Sequence, residues 1–468
     1  MTGESSPAVR TFATFRGWLK HLHATGRLAA ARENVALEHE LAAIAKRLDG
    51  RSAVLFPRVQ GHPMPVVSGL VSNRDWIAEA MGVAPGEMLA RFRDAVEHPL
   101  KWREVQNAPC QQVVRREIDM RSALPIPRHS EHDSAPYITA GLVIACNPAT
   151  GIQNVSINRI QINAATRMAL LILPRHLAAF FRAAEERGEA LPVAIAIGVG
   201  PLTLLASQAV LPLDSDELEV AGALQRAPLE VVRCLTNEVR VPAHAEIVIE
   251  GRLLPGVREP EGPFGEFPKY YSPQEAREVI EVDCITQRAS PIYHTIVPAE
   301  GEHLLLGAIP REASLLAHLQ RSFPNVLDVH LSLGGVCRYH LYVKLARRSE
   351  GEAKNVIMGA FGAHYDVKHV IVVDDDVDVH SPREVEWAVA TRFQADRDLV
   401  VVAGSQGSIL DPSTDRGVGA KMGLDATRPL RYEGLAFTRV RIPGEDTIEL
   451  DRVLDPAPRI AIAELFGE

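Results

Sequence analysis
Two glutamates, Glu261 and Glu266, stand five positions apart in the stretch EGPFGEF, with Gly262, Pro263 and Gly265 between them. Glycine and proline in that pattern make a tight turn rather than a helix or a strand, so both carboxylates can face one spot. Acids held that close differ in their grip on a proton, one able to donate while the other stays charged. An arginine between them would hold the arrangement, and Arg159 is the obvious candidate. The competing reading is a solvated acidic turn with only Phe264 buried. A second set, Asn154, His176 and Glu217, offers one amide oxygen, one imidazole and one carboxylate. With phosphate and water completing the shell, these donors suit Mn²⁺ or Mg²⁺ better than structural zinc. Its competitor places His176 on a helix surface and Glu217 as a cap at a helix start.

Several of these residues fall within residues 154–176, NVSINRIQINAATRMALLILPRH. Asn154, Ser156, Asn158, Arg159, Gln161 and Asn163 are interleaved there with Val155, Ile157, Ile160 and Ile162. A strand serving only as core would not carry so many hydrogen-bonding groups. After the apolar run Met168 to Leu173, Pro174-Arg175-His176 is expected to open a helix. Proline fits its first position, and the free amides there favour an anion. A metal ligand, a phosphate clamp and a catalytic cation could all come from this one stretch. DDDVDV, from Asp374 to Val379, reads as a strand leaving the core for solvent rather than as an ion site at a sheet edge. In GVGAKMGLDAT the glycines are spaced too loosely for a phosphate loop, and the GK[ST] ending is missing. Lys421 within it either closes over an active site or forms a salt bridge. No GxSxG elbow, HExxH helix or dinucleotide fingerprint is present.

The elements that must position these groups belong to an α/β multidomain chain, since 468 residues exceed one hydrophobic core. Residues 1–109 read as a small N-terminal α/β domain. FRGWLKHLHATGRL puts Phe15, Trp18, Leu19 and Leu22 on one helix face, with Gly26 as a stop. Residues 110–309 carry short β-prone runs broken by glycine and proline, with helices expected over 176–187 and 216–224. From residue 310 to 468 the pattern is a C-terminal layered α/β domain around a parallel sheet, with Ser381, Pro382 and Glu384 starting a helix. A short terminal helix over 460–466 could pack on a neighbouring subunit. The net charge of −9 argues against a nucleic-acid partner. Five scattered cysteines without a CxxC pair fit a reducing compartment. With no signal core and no apolar run near 18 residues, no membrane role is expected and the location should be cytoplasmic.

The ordered set DSAPYITAG, NVSINRIQ, PRH, LPVAIAIG, DELEVAGAL, VPAHAEIVIEG, EGPFGEF, VVDDDVDV and AKMGLDAT, between Gln112 and Pro429, resembles the UbiD family of reversible decarboxylases. The resemblance implies a split-barrel-like middle domain that holds prenylated FMN, and a C-terminal domain that supports a homodimer or higher homo-oligomer. It puts Asn154, His176 and Glu217 on Mn²⁺ (or Mg²⁺) against the cofactor phosphate, with K⁺ alongside. Ser156, Ile157, Asn158, Arg175 and Lys421 fall at further cofactor contacts. Arg159, Glu261 and Glu266 fall beside the reactive ring system, with Glu266 as proton donor. The implied reaction releases CO₂ from an aromatic, heteroaromatic or α,β-unsaturated carboxylic acid, with the cofactor supplied by a flavin prenyltransferase. Ser156 stands where glycine is frequent, Arg175 where cinnamate-type members carry glutamine, and Phe267 where they carry methionine. The last two changes favour an acid with a second polar group that Arg175 can meet. The alternatives are a metal-dependent hydrolase or phosphatase, or a flavin binder without catalysis.

Overall fold
Local chemistry starts several of the helices. Thr14 Oγ1 accepts the Gly17 amide at 3.1 Å and opens the helix Phe15–Ala24, which buries Phe15, Trp18, Leu19 and Leu22 along one stripe. Asn73, Asp216 and Ser381 cap their helices in the same way. The computed structural model describes residues 12–454 and 464–467, so residues 460–463 of the expected terminal helix lie outside the described residues. No helix among the described residues is long and apolar enough to cross a membrane.

The middle of the chain is one antiparallel sheet. Its strands are β1 (Tyr137–Ile138), β2 (Leu142–Cys146), β3 (Gln153–Ile157), β4 (Ile160–Ile162), β5 (Arg167–Leu170), β6 (Leu191–Ile197), β7 (Ile247–Glu261) and β8 (Glu275–Gln287). They pair in the order β1-β4-β5-β8-β7-β6-β2-β3, with Val113–Arg115 added beside the end of β8. β3 therefore forms one edge and β4 lies one strand in from the other, yet only Asn158 and Arg159 separate them in sequence. Three extended steps reach about 11 Å. The sheet must curl until its edges nearly meet, giving the half-barrel that the β-rich reading anticipated. Arg159 sits in that gap. Two helices cover the curled sheet, α1 (His176–Glu185) and α2 (Glu217–Leu224); α1 buries Leu177, Phe180, Phe181 and Ala184 in the core shared with β6. Arg175 is the N-cap residue of α1, so Pro174 precedes the helix instead of filling its first position.

The N-terminal sheet recruits Tyr293–His294 from far along the chain, pairing parallel with Val66–Val67. A two-residue strand carries no periodicity, which is why sequence gave no hint of it. Helix α3 (Gly301–Ser322) follows at once, so a boundary at 309/310 would cut a continuous, mostly buried helix. The C-terminal sheet runs Val326–Leu331, His340–Leu345, His369–Asp374, Val418–Ala426, Leu399–Gln406. It is mixed rather than parallel: the inner pairings are parallel and both outer ones antiparallel. Residues 332–339 and 407–417 are too short for a crossover of a dozen residues or more, so each joins its strands as a hairpin.

The acidic run at the end of His369–Asp374 is not simply solvated. Arg392, in the helix Pro382–Arg392, donates to Asp374 at 2.7 Å and to Asp376 at 2.8 Å, while Asp375 is the exposed member of the three. These acids fasten a helix to the sheet.

Candidate active site
Glu261 ends β7, and the chain turns through Gly262 into the short strand Phe264–Gly265 before Glu266. Gly262 has φ +91°, and a Cβ there would meet the Pro273 carbonyl oxygen at 2.6 Å, so the turn requires glycine. Across the gap in the half-barrel, Arg159 spreads its fork between the two acids. Nη2 donates to Glu261 Oε2 at 2.7 Å and Nη1 to Glu266 Oε1 at 2.5 Å. Both acids are buried, Glu261 completely, which rules out a solvated acidic turn. The guanidinium also stands 5.2 Å from the centre of the Phe264 ring, tying the turn's one aromatic to the same ion cluster. Arg159 Nε and Glu261 Oε1 are buried without a protein partner.

Four of the six residues of the polar ladder that drew attention in sequence turn out to be scaffolding. Gln161 Oε1 accepts the Gly262 amide at 2.9 Å and the Tyr137 hydroxyl at 2.6 Å, while Gln161 Nε2 and Asn163 Nδ2 both donate to the Pro260 carbonyl. These bonds fix the end of β7 so that Glu261 points at Arg159. Ser156 Oγ donates to Asn158 Oδ1 at 2.8 Å, and Asn158 Nδ2 donates to the Leu171 carbonyl at 3.0 Å, which shapes the β3–β4 connection around half-buried Ile157.

The three-residue ligand set converges as well. Glu217 Oε1 accepts Asn154 Nδ2 at 2.8 Å, Glu217 Oε2 accepts the Val155 amide at 2.7 Å, and Asn154 Nδ2 lies 3.5 Å from His176 Nδ1. Helix α2 presents Glu217 because Asp216 caps its first turn and is itself held by Trp102 Nε1 at 2.9 Å. Burial pushes the Glu217 carboxyl up to about 8 against the pull of its amide donors. Burial, then Arg175, lowers His176, leaving a neutral imidazole suited to ligation. Among the described residues no group of three or more His, Cys, Asp or Glu side chains is placed to hold a metal ion. A cation here relies on the Asn154 amide and on oxygens from outside the chain.

Sequence reasoning missed a cluster of cations on the same side as Glu266. Arg311 on α3 and Arg338 after the Val326–Leu331 strand are buried, Arg175 approaches them, and Lys421 joins these arginines around His364. Burial first, then Arg338, brings Arg311 down to about 9. Arg311 Nε and Nη1 are buried without partners, and its nearest carboxylate oxygen, on Asp366, is 3.6 Å from Nη2. Burial and the surrounding arginines also drive His364 down to about 2, and burial with Arg338 takes His303 to about 3. In both rings Nδ1 accepts a backbone amide, which leaves Nε2–H as a donor. Arg175 is exposed and makes no cap bond, whereas Lys421 donates to the Tyr365 and Val367 carbonyls rather than to a carboxylate. No local motif announces Arg311 or Arg338; only burial without a matching acid marks them.

Comparison with known proteins gives a consistent picture. Family models described as 3-octaprenyl-4-hydroxybenzoate carboxy-lyase match in three consecutive pieces: the N-terminal domain at residues 19–96, the Rift-related domain at 103–301 and the C-terminal domain at 304–426. Anhydromevalonate phosphate decarboxylase of Methanothermobacter thermautotrophicus is 41% identical over 399 residues, which is 85% of this chain and 93% of that protein. The UbiD-class enzyme HmfF from Pelotomaculum thermopropionicum, solved with FMN, is 50% identical and superposes with a TM-score of 0.93, covering 94% of this chain and all of that one. An evolved dimeric form of that enzyme, solved with prFMN, is 48% identical with a TM-score of 0.89 and the same coverage.

Proposed function
Because this chain belongs to the UbiD family of carboxy-lyases, its reaction is non-oxidative, reversible decarboxylation dependent on prenylated FMN, and we propose that Arg159, Glu261 and Glu266 handle the proton. The observation that carries this reading is the Arg159 fork, which holds two buried carboxylates at one point in the half-barrel gap. Losing CO₂ leaves an electron pair on an aryl or vinyl carbon, which water stabilises poorly; prenylated FMN, when bound, supplies the electron sink. The chain must then return a proton to that carbon. Glu266 is the donor, with Arg159 orienting it and Glu261 balancing the arginine's charge. The unpartnered Arg159 Nε and Glu261 Oε1 fit a polar group of the cofactor brought against them.

Asn154, His176 and Glu217 fit a divalent ion, Mn²⁺ or Mg²⁺, because a buried carboxylate there has no cationic partner of its own. Ligation needs the Asn154 amide turned over to present Oδ1, while the amide at Val155 keeps its bond to Glu217. The resemblance adds K⁺ beside it. The connection at Ser156, Ile157 and Asn158 and the open helix start at Arg175 border the cofactor phosphate, and Lys421 stiffens the facing wall through the 365–367 backbone. Protein co-expressed with a flavin prenyltransferase is expected to show a visible spectrum distinct from FMN and the mass of the prenylated cofactor. His176→Ala should lose most of both metal and cofactor; full occupancy of both in that variant overturns the ligand assignment. A hydrolase using the same residues would be colourless and indifferent to flavin supply.

The substrate is a carboxylic acid carrying a second anionic group. Arg311 and Arg338 are buried, with Arg175 beside them, and Asp366 is the only acid that approaches Arg311 within ion-pair reach among the described residues. Such a pocket is costly until an anion enters it. Paired mono- and dicarboxylic acids of benzene and furan, with anhydromevalonate phosphate, separate an aromatic diacid from a phosphorylated enoic acid when CO₂ release is measured. Arg175→Gln should weaken dianionic substrates more than monoanionic ones, by about 1.5–3 kcal/mol for a charge-assisted contact. Equal losses in both classes would assign Arg175 to the cofactor instead. The exposed apolar side chains Leu435, Val440 and Ile442 near the C-terminal end support a homo-oligomer.

A further inference from the structure
Gly307 lies in the buried middle of helix α3, where glycine is the poorest choice short of proline. It is neither at a turn nor at a helix end, and its φ is ordinary. What explains it is Arg338. A Cβ on residue 307 would fall 1.9 Å from Arg338 Nη2 and 2.4 Å from Cζ, so the guanidinium rests directly on the bare helix backbone. The guanidinium also stands over the Phe267 ring, whose centre is 5.3 Å from Cζ, and Phe267 directly follows Glu266. Nη1 donates to the Cys337 carbonyl at 3.0 Å and to the Leu304 carbonyl on the same helix at 3.5 Å, while Nη2, the atom nearest Gly307, has no protein acceptor among the described residues. The seat therefore holds the Nη end of the guanidinium against the helix near Glu266, with Nη2 unpartnered.

We propose that Gly307 is a specificity-determining position: by omitting a side chain, it seats Arg338 so that the unpartnered Nη2 meets the substrate's second anionic group. This rests on the dianionic reading above and adds the residue that sets the geometry of the contact. The atoms in the way of a methyl group are the far end of a flexible side chain rather than backbone. Gly307→Ala therefore leaves the helix intact, or firmer, and displaces only the guanidinium.

The test measures kcat and KM of cofactor-loaded wild type, Gly307→Ala, Arg338→Met and the double variant on benzene- and furandicarboxylate, anhydromevalonate phosphate, benzoate and furoate. Gly307→Ala is expected to raise KM for the dianionic substrate by about tenfold or more, the scale of one charge-assisted bond, and to leave KM for the monoanions within about twofold. The double variant should match Arg338→Met, because the two changes act through one guanidinium. If Arg338→Met leaves the preference for dianions unchanged, the dianionic reading fails and this inference falls with it. If Arg338→Met abolishes the preference while Gly307→Ala behaves as wild type, the reading stands and the role of Gly307 is wrong. Equal losses on both substrate classes, or a lower melting temperature in the double variant than in Arg338→Met, would likewise overturn it, since either means the methyl group disturbs more than Arg338.

Discussion
Glu266→Gln is expected to leave a folded, cofactor-loaded protein that turns over at least about 100-fold more slowly. The amide keeps the size and planarity of the acid and can still face Arg159, so binding of cofactor and substrate should survive. What disappears is the exchangeable carboxyl proton beside the carbon that CO₂ has left. Glu266 is the proposed donor because its backbone follows the glycine turn at Gly262 and one carboxylate oxygen is held by Arg159 at 2.5 Å. Glu261 is fully buried, with Oε2 bound by Arg159 Nη2, which suits charge balance better than delivery. Near-wild-type turnover in a verified cofactor-loaded variant would remove Glu266 from this role.

Arg159→Met should be the most destabilising single change at the site. Side-chain exposure is 7% for Arg159, 0% for Glu261 and 10% for Glu266, so the variant leaves two acids buried without their cation. Removing one partner of a buried ion pair costs about 3–5 kcal/mol. Denaturant unfolding of the cofactor-free protein should show a loss of that size, and adding Glu261→Gln should recover part of it by removing one stranded charge. An unchanged midpoint for Arg159→Met would mean that water or another cation already reaches the acids.

The cluster of Arg159, Glu261 and Glu266 was legible in sequence because each member is out of place locally: an arginine in a β-prone run, and acids bracketing a glycine-proline turn. Asn154, His176 and Glu217 were singled out by donor type and by the resemblance rather than by local misfit, since His176 and Glu217 stand at ordinary helix starts and their meeting depends on the curl of the sheet. The buried arginine cluster was not. Arg311 follows Pro310 within an ordinary helical pattern and precedes Glu312, which looks like a pairing partner but is engaged by Arg74 and His330 instead. Arg338 sits in a connection whose only oddity is GGVCR, and Gly307 looks like a stray helix glycine until Arg338 is seen resting on it. The acids of DDDVDV were misjudged because their partner, Arg392, is a helix away. Charge pairing across elements leaves no periodic trace, so sequence shows the presence of such residues but not their partners.

Carboxyl exchange in Glu266→Gln tests the central claim most directly. With ¹³C-bicarbonate and substrate in D₂O, the wild type should release product deuterated at the former carboxyl carbon and also exchange label into the remaining substrate. If Glu266 supplies the proton after CO₂ leaves, the cofactor-loaded Glu266→Gln protein still exchanges ¹³C into the substrate carboxyl while deuterated product falls at least about 100-fold. Loss of exchange and product together would place Glu266 in breaking the carbon–carbon bond, and retention of deuterated product would contradict its role as proton donor.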